Sequence, residues 1–81
     1  MSISTDVHEE MVQKIGDTSG QVWGHLATDG PMTLAKLIKL TGKKRDDILL
    51  ALGWLARENK LYFFEQGRNK MIGLIEDWPA R

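Results

Sequence analysis

The side chains able to do chemistry in this chain are few and scattered. There are two histidines and no cysteine, so disulfides, thiolate nucleophiles and cysteine-based zinc sites are ruled out at once. His8 and His25 fall on opposite parts of what reads as the first helix and lack any spacing that presents two imidazoles to one metal ion. Asp6, His8, Glu9 and Glu10 crowd together, but an acidic first turn is what helix capping alone requires. Gly42-Lys43 fails as a phosphate-binding loop, because Leu37 stands where that loop has its first glycine and Lys44 where it has Ser or Thr. No serine has a base and an orienting acid near it in sequence. The expectation is a protein with no catalytic residues, no metal, no cofactor and no evident small-molecule site.

Contact chemistry is better represented. The net charge is zero, yet it is unevenly spread. Residues 1–30 carry Lys14 against Asp6, Glu9, Glu10, Asp17 and Asp29, while residues 31–70 carry nine bases against four acids. Such a split is either a weak electrostatic footprint or ordinary solvated surface. The bases most open to a phosphate role are Lys43, Lys44 and Arg45 in one run and Arg68 and Lys70 in another. Asp46 and Asp47 follow the first run immediately and would repel a phosphate backbone.

These residues need elements to hold them. Eighty-one residues with 42% apolar and 27% charged composition suit one folded domain, residues 1–81, rather than a disordered chain. Residues 1–10 lack the basic and then apolar order of a signal peptide, and no apolar run approaches a membrane span. A soluble, cytoplasmic protein is expected. Asp6 and Glu9 have capping-box spacing, and Met11, Ile15, Val22 and Leu26 mark one buried face, with Trp23 beside it. This predicts a helix over residues 6–28, frayed or kinked near Gly16, since Gly16, Gly20 and Gly24 each cost about 1 kcal/mol within a helix.

Asp29-Gly30-Pro31 is a stop. Met32-Thr33 suits a very short strand, with Thr33 capping a second helix whose inward stripe is Leu34, Leu37, Ile38 and Thr41, and Gly42 ends it. A third helix is predicted over residues 45–58, a strand over 61–65, a turn at 66–69 and a return strand over 71–75.

The order of helix, short strand, helix, helix and hairpin resembles a winged helix-turn-helix domain, an α+β fold of three helices, a short first strand and a two-stranded wing. The resemblance runs over residues 11–76. It is carried by Ile48, Ala51, Leu52 and Leu55 followed by Asn59, Leu61 and Phe63. Gly16, Gly20, Val22-Trp23, Leu26, Met32-Thr33-Leu34 and the run from Ala51-Leu52-Gly53-Trp54 to Leu55-Ala56-Arg57-Glu58 are similar to a family of small, stand-alone prokaryotic winged-helix proteins of uncharacterised function. The resemblance implies a DNA reader by analogy, since most winged helices are, although a fold hosts many functions.

The third helix argues otherwise. With Ile48, Ala51, Leu52 and Leu55 inward, its outward side is Leu49, Leu50, Gly53, Trp54 and Arg57. DNA-binding relatives carry hydrogen-bonding side chains there, because base edges are read by hydrogen bonds. Two leucines, a glycine and a tryptophan instead have the composition of an interaction hot spot. Either a second chain covers this side, or the first helix and the C-terminal tail do. The hairpin repeats the pattern: Leu61 and Phe63 are expected on one face, Tyr62 and Phe64 on the other, and Met71, Gly73 and Ile75 alternate with Ile72 and Leu74. Both faces are apolar, whereas a sheet packed only on helices is polar outside. A homodimer partner is the economical cover, with Trp78 in the tail the alternative.

The resulting expectation is a winged-helix module whose third helix and outer wing face form a protein interface. Leu49, Leu50, Gly53, Trp54, Tyr62 and Phe64 would line it, with Leu50, Trp54 and Tyr62 as anchors. The alternative is a DNA-binding transcriptional regulator that places Lys43, Lys44, Arg45, Arg68 and Lys70 on the phosphates of double-stranded DNA.

Overall fold

The computed structural model describes residues 5–77. The chain runs through α1 (Thr5–Asp29), α2 (Leu34–Thr41), α3 (Arg45–Arg57), β1 (Leu61–Gln66) and β2 (Asn69–Leu74), and closes in a 3-10 turn at Ile75–Asp77. The order of elements is the one expected from the sequence.

Local chemistry explains the boundaries. Gly30 and Gly42 both take positive φ, the conformation a helix exit favours, and the Gly42 N–H donates to Ile38 O at 3.0 Å. Thr33 caps α2, its hydroxyl oxygen accepting from the Lys36 N–H at 3.2 Å. Asn59 closes α3 at φ 60°, with its N–H donating to Ala56 O and the Lys60 N–H to Leu55 O at 2.9 Å. That bond pair is the Schellman closure, made here by asparagine rather than glycine.

The hairpin pairs antiparallel from Leu61↔Leu74 to Gln66↔Asn69 across a turn at Gly67-Arg68. On its other side β2 receives a single bridge from Met32, whose N–H donates to Ile72 O and whose O accepts from the Ile72 N–H. β2 is therefore the inner strand and β1 the edge. The core gathers Val22 and Leu26 of α1, Leu37 of α2, Ile48, Ala51, Leu52 and Leu55 of α3, Met32, and Leu61, Ile72 and Leu74 of the hairpin.

Three expectations need correction. α1 is uninterrupted through Gly16, so it is not frayed there. Just beyond it Thr18 and Ser19 are buried where α1 passes α3, and the Ser19 hydroxyl donates to Ala51 O at 3.5 Å. Met11, assigned to the buried face, is exposed, since the core ends before the helix does. The return strand begins at Asn69 and stops at Leu74, so Ile75 belongs to the following turn.

The two faces of the hairpin also differ from expectation. Phe63 shares a face with Leu61 but is 55% exposed, because it sits on the edge strand beyond the reach of the helices. Tyr62 is buried. Its ring lies across Gly73, close enough that a Cβ there would meet it at 2.7 Å, and stacks on Phe64 with centroids 5.3 Å apart.

Candidate protein-interaction surface

α3 positions the main candidate residues. Its four inward side chains fix its rotation, which leaves Leu49, Leu50, Gly53 and Trp54 all exposed. Leu49, Leu50 and Trp54 keep 43%, 44% and 50% of their surface in solvent, so α1 flanks this side of α3 without covering it. Trp78, the other expected cover, lies outside the described residues.

The exposed side is not one uniform patch. At about 100° per residue, Leu50 and Trp54 lie roughly 40° apart while Leu49 and Trp54 lie roughly 140° apart. Leu50 and Trp54 therefore form one strip toward α1, continued by the exposed Arg57, and Leu49 stands on the opposite flank. Trp54 also walls an apolar groove of about 320 Å³ with Val12, Ile15 and Gly16 of α1. No Cβ fills the Gly16 side of that groove, and nothing lies within 4 Å of where one would be.

Tyr62 does not join this surface. It was expected as an outward anchor, but it is buried by packing within its own hairpin, over Gly73 and against Phe64. Phe64 is half-buried for the same reason. The outer wing face is thus partly covered from within, because Gly73 lets the Tyr62 ring lie flat on β2.

The basic residues are held separately. The turn between α2 and α3 is organised by Thr41, whose hydroxyl donates to Leu37 O at 2.7 Å and accepts from the Lys43 N–H at 3.2 Å. Lys44 occupies the N-cap of α3 and makes no side-chain cap bond. Lys44, Arg45, Arg68 and Lys70 are exposed and Lys43 half-exposed, and none is in an ion pair among the described residues. Asp47 was expected to repel phosphate, but it is engaged by Lys14 of α1 at 3.3 Å.

Sequence reasoning missed the outer half of α1. Val7 and Val12 are exposed along with Met11, and every described side chain over residues 6–14 is exposed. The available signal was length: 25 residues of α1 span about 37 Å, against about 20 Å for the 13 residues of α3 that pack on it. Among the described residues no group of three metal-ligating side chains comes together, and no helix is long and apolar enough to cross a membrane.

Comparison with known proteins agrees with this architecture. Residues 8–74 match the family model described as a winged helix-turn-helix domain, DUF2582. The chain is 33% identical over 69 residues to the uncharacterized protein MJ1608 of Methanocaldococcus jannaschii, a match covering 82% of this chain and 97% of that one. It is also similar to the solution NMR structure of protein BT2368 from Bacteroides thetaiotaomicron, with a TM-score of 0.71 and 25% identity, over 85% of this chain and 87% of that one.

Proposed function

The chain belongs to the winged helix-turn-helix domain family DUF2582, and from that premise we propose that it is a non-catalytic protein-interaction module that self-associates through the solvent side of α3. The observation that carries the reading is the exposure of Leu50 and Trp54 on the helix that a DNA-reading winged helix would place in the major groove. Neither side chain can make the bidentate contacts that tell base pairs apart. A half-exposed tryptophan beside a groove is instead the kind of anchor that dominates interface energy. Gly53 next to it lets a partner approach the backbone closely.

Trp54→Ala tests this reading. Truncation should weaken self-association by about 2 kcal/mol or more, roughly thirty-fold in Kd, while leaving the circular dichroism spectrum unchanged. An unaltered dissociation constant in sedimentation equilibrium would sink the proposal.

A second reading is favoured by Lys43, Lys44, Arg45, Arg68 and Lys70, which form no ion pair among the described residues and stand at two places where winged helices touch phosphates. On this reading the domain binds double-stranded DNA with little sequence selectivity. Its affinity for a duplex should fall steeply with salt, with a slope that tracks the number of phosphate contacts. No mobility shift of any duplex at low salt would remove it.

A further inference from the structure

We propose that the open edge of the wing, along β1, is a docking site for an extended peptide segment of another protein, which adds to the sheet as a further strand. The segment is basic where it passes Glu65 and apolar where it passes Phe63. This surface is separate from the α3 strip and does not depend on self-association.

The hydrogen bonding of the hairpin shows which way the backbone of β1 points. The Ile75 N–H donates to Lys60 O at 2.8 Å, so Lys60 and Ile75 form a bonded pair. Bonded and non-bonded pairs alternate along an antiparallel ladder. Tyr62, Phe64 and Gln66 therefore turn their N–H and C=O groups toward β2, while Leu61, Phe63 and Glu65 turn theirs away. The far side of β2 agrees, because Ile72, which stands opposite Phe63, gives both its groups to Met32. Leu61 is buried, but Phe63 and Glu65 are exposed, and among the described residues their outward main-chain groups have no partner.

The two edges of the sheet are finished differently. On the far side of β2, Met32 is flanked by Pro31, which has no N–H, and by Thr33, which caps α2. That edge closes after one residue. β1 carries none of the devices that blunt an exposed edge: it has no proline and no lysine, and its register is unbroken from Leu61 to Gln66.

The edge selects its occupant in two ways. Paired donors and acceptors at a two-residue spacing are what an extended backbone answers. Side chains directly opposite in neighbouring strands then share a face, and β2 shows what suits this row, with Lys70 opposite Glu65 and Ile72 opposite Phe63. Even so, Phe63 stays largely in solvent and Glu65 is in no ion pair among the described residues. A second copy answers the row poorly. A two-fold pairing confined to the open residues sets each Phe63 against the other copy's Glu65, and brings no base opposite either carboxylate. Centring the axis on Phe63 runs Glu65 onto the buried Leu61, and centring it on Glu65 sets carboxylate on carboxylate. A segment from another protein, with Lys or Arg opposite Glu65 and Val or Ile opposite Phe63, satisfies both.

Amide hydrogen exchange followed by NMR reads this edge residue by residue. In the protein alone, the Phe63 and Glu65 amides should exchange fast and those of Tyr62 and Phe64 slowly. The probe is the capped peptide Thr-Thr-Lys-Val-Ile-Thr in excess. It should slow exchange at Phe63 and Glu65 by about ten-fold or more and leave Tyr62 and Phe64 unchanged. Replacing its lysine by glutamate should weaken the protection, and Glu65→Lys in the protein should reverse that preference. Slow exchange at Phe63 and Glu65 without peptide would overturn the proposal: if it rises with protein concentration a second copy holds the edge, and if it does not the chain covers itself. No added protection with peptide, or equal binding of a peptide N-methylated at its edge-facing amides, would overturn it too.

Discussion

Thr18 carries a hydroxyl that no described atom answers. The residue is fully buried where α1 passes α3, and among the described residues its Oγ1 has no hydrogen-bond partner, whereas neighbouring Ser19 reaches a carbonyl on α3. A buried hydroxyl without a partner costs about 1–3 kcal/mol in lost hydration. Valine has nearly the same shape and the same branching at Cβ. Thr18→Val should therefore stabilise the fold by about 1 kcal/mol, seen as a higher urea midpoint at unchanged slope. A lower midpoint would mean that the hydroxyl has a partner after all. At this scale the sequence was legible where a side chain does one thing: Thr33 as a cap, Gly42 as an exit, Leu50 and Trp54 on the outside of α3. It was illegible at Tyr62. Alternation along a strand tells which side a residue faces, but not that Gly73 across the hairpin leaves space for a ring to bury itself there.

Among the elements, glycine shows how context decides. Gly20 sits inside α1 with nothing within 4 Å of a Cβ built on it. Gly20→Ala should gain about 1 kcal/mol of stability from helix propensity alone. Gly73 in β2 has the Tyr62 ring 2.7 Å from the same construction, so Gly73→Ala must displace the ring and should lose about 1–3 kcal/mol. Thermal denaturation of the two variants side by side checks the opposite signs, and a gain at Gly73 would contradict the packing of Tyr62. The three glycines of α1 suggested a fray or kink because their cost counts against the helix locally. The helix runs on because Thr18, Ser19, Val22 and Leu26 pack against the rest of the fold, and such packing outweighs propensity. Its outer half was read as core for a related reason. Periodicity marks the side a helix would bury, but whether anything lies against that side depends on the length of its neighbours.

For the whole molecule, exposed apolar side chains are spread over α1, α2, α3 and the wing, and two of these stretches adjoin. One is the strip of α3 with Leu50 and Trp54, and the other is the outer half of α1 with Val7, Met11 and Val12. They meet at the groove of Val12, Ile15, Gly16 and Trp54. The uneven charge visible in the sequence follows the same division, with acids on the outer half of α1 and bases from α2 to the wing. On the self-association reading, a second copy placed against the α3 strip covers Leu50 and Trp54.

The most direct test of that account is the solution mass of the wild type by light scattering at several concentrations, measured beside Trp54→Ala. The account predicts a wild-type mass of twice the 9.2 kDa chain, falling to the single-chain mass in the variant while its helical signal is kept. A wild type at the single-chain mass throughout the concentration series would contradict it.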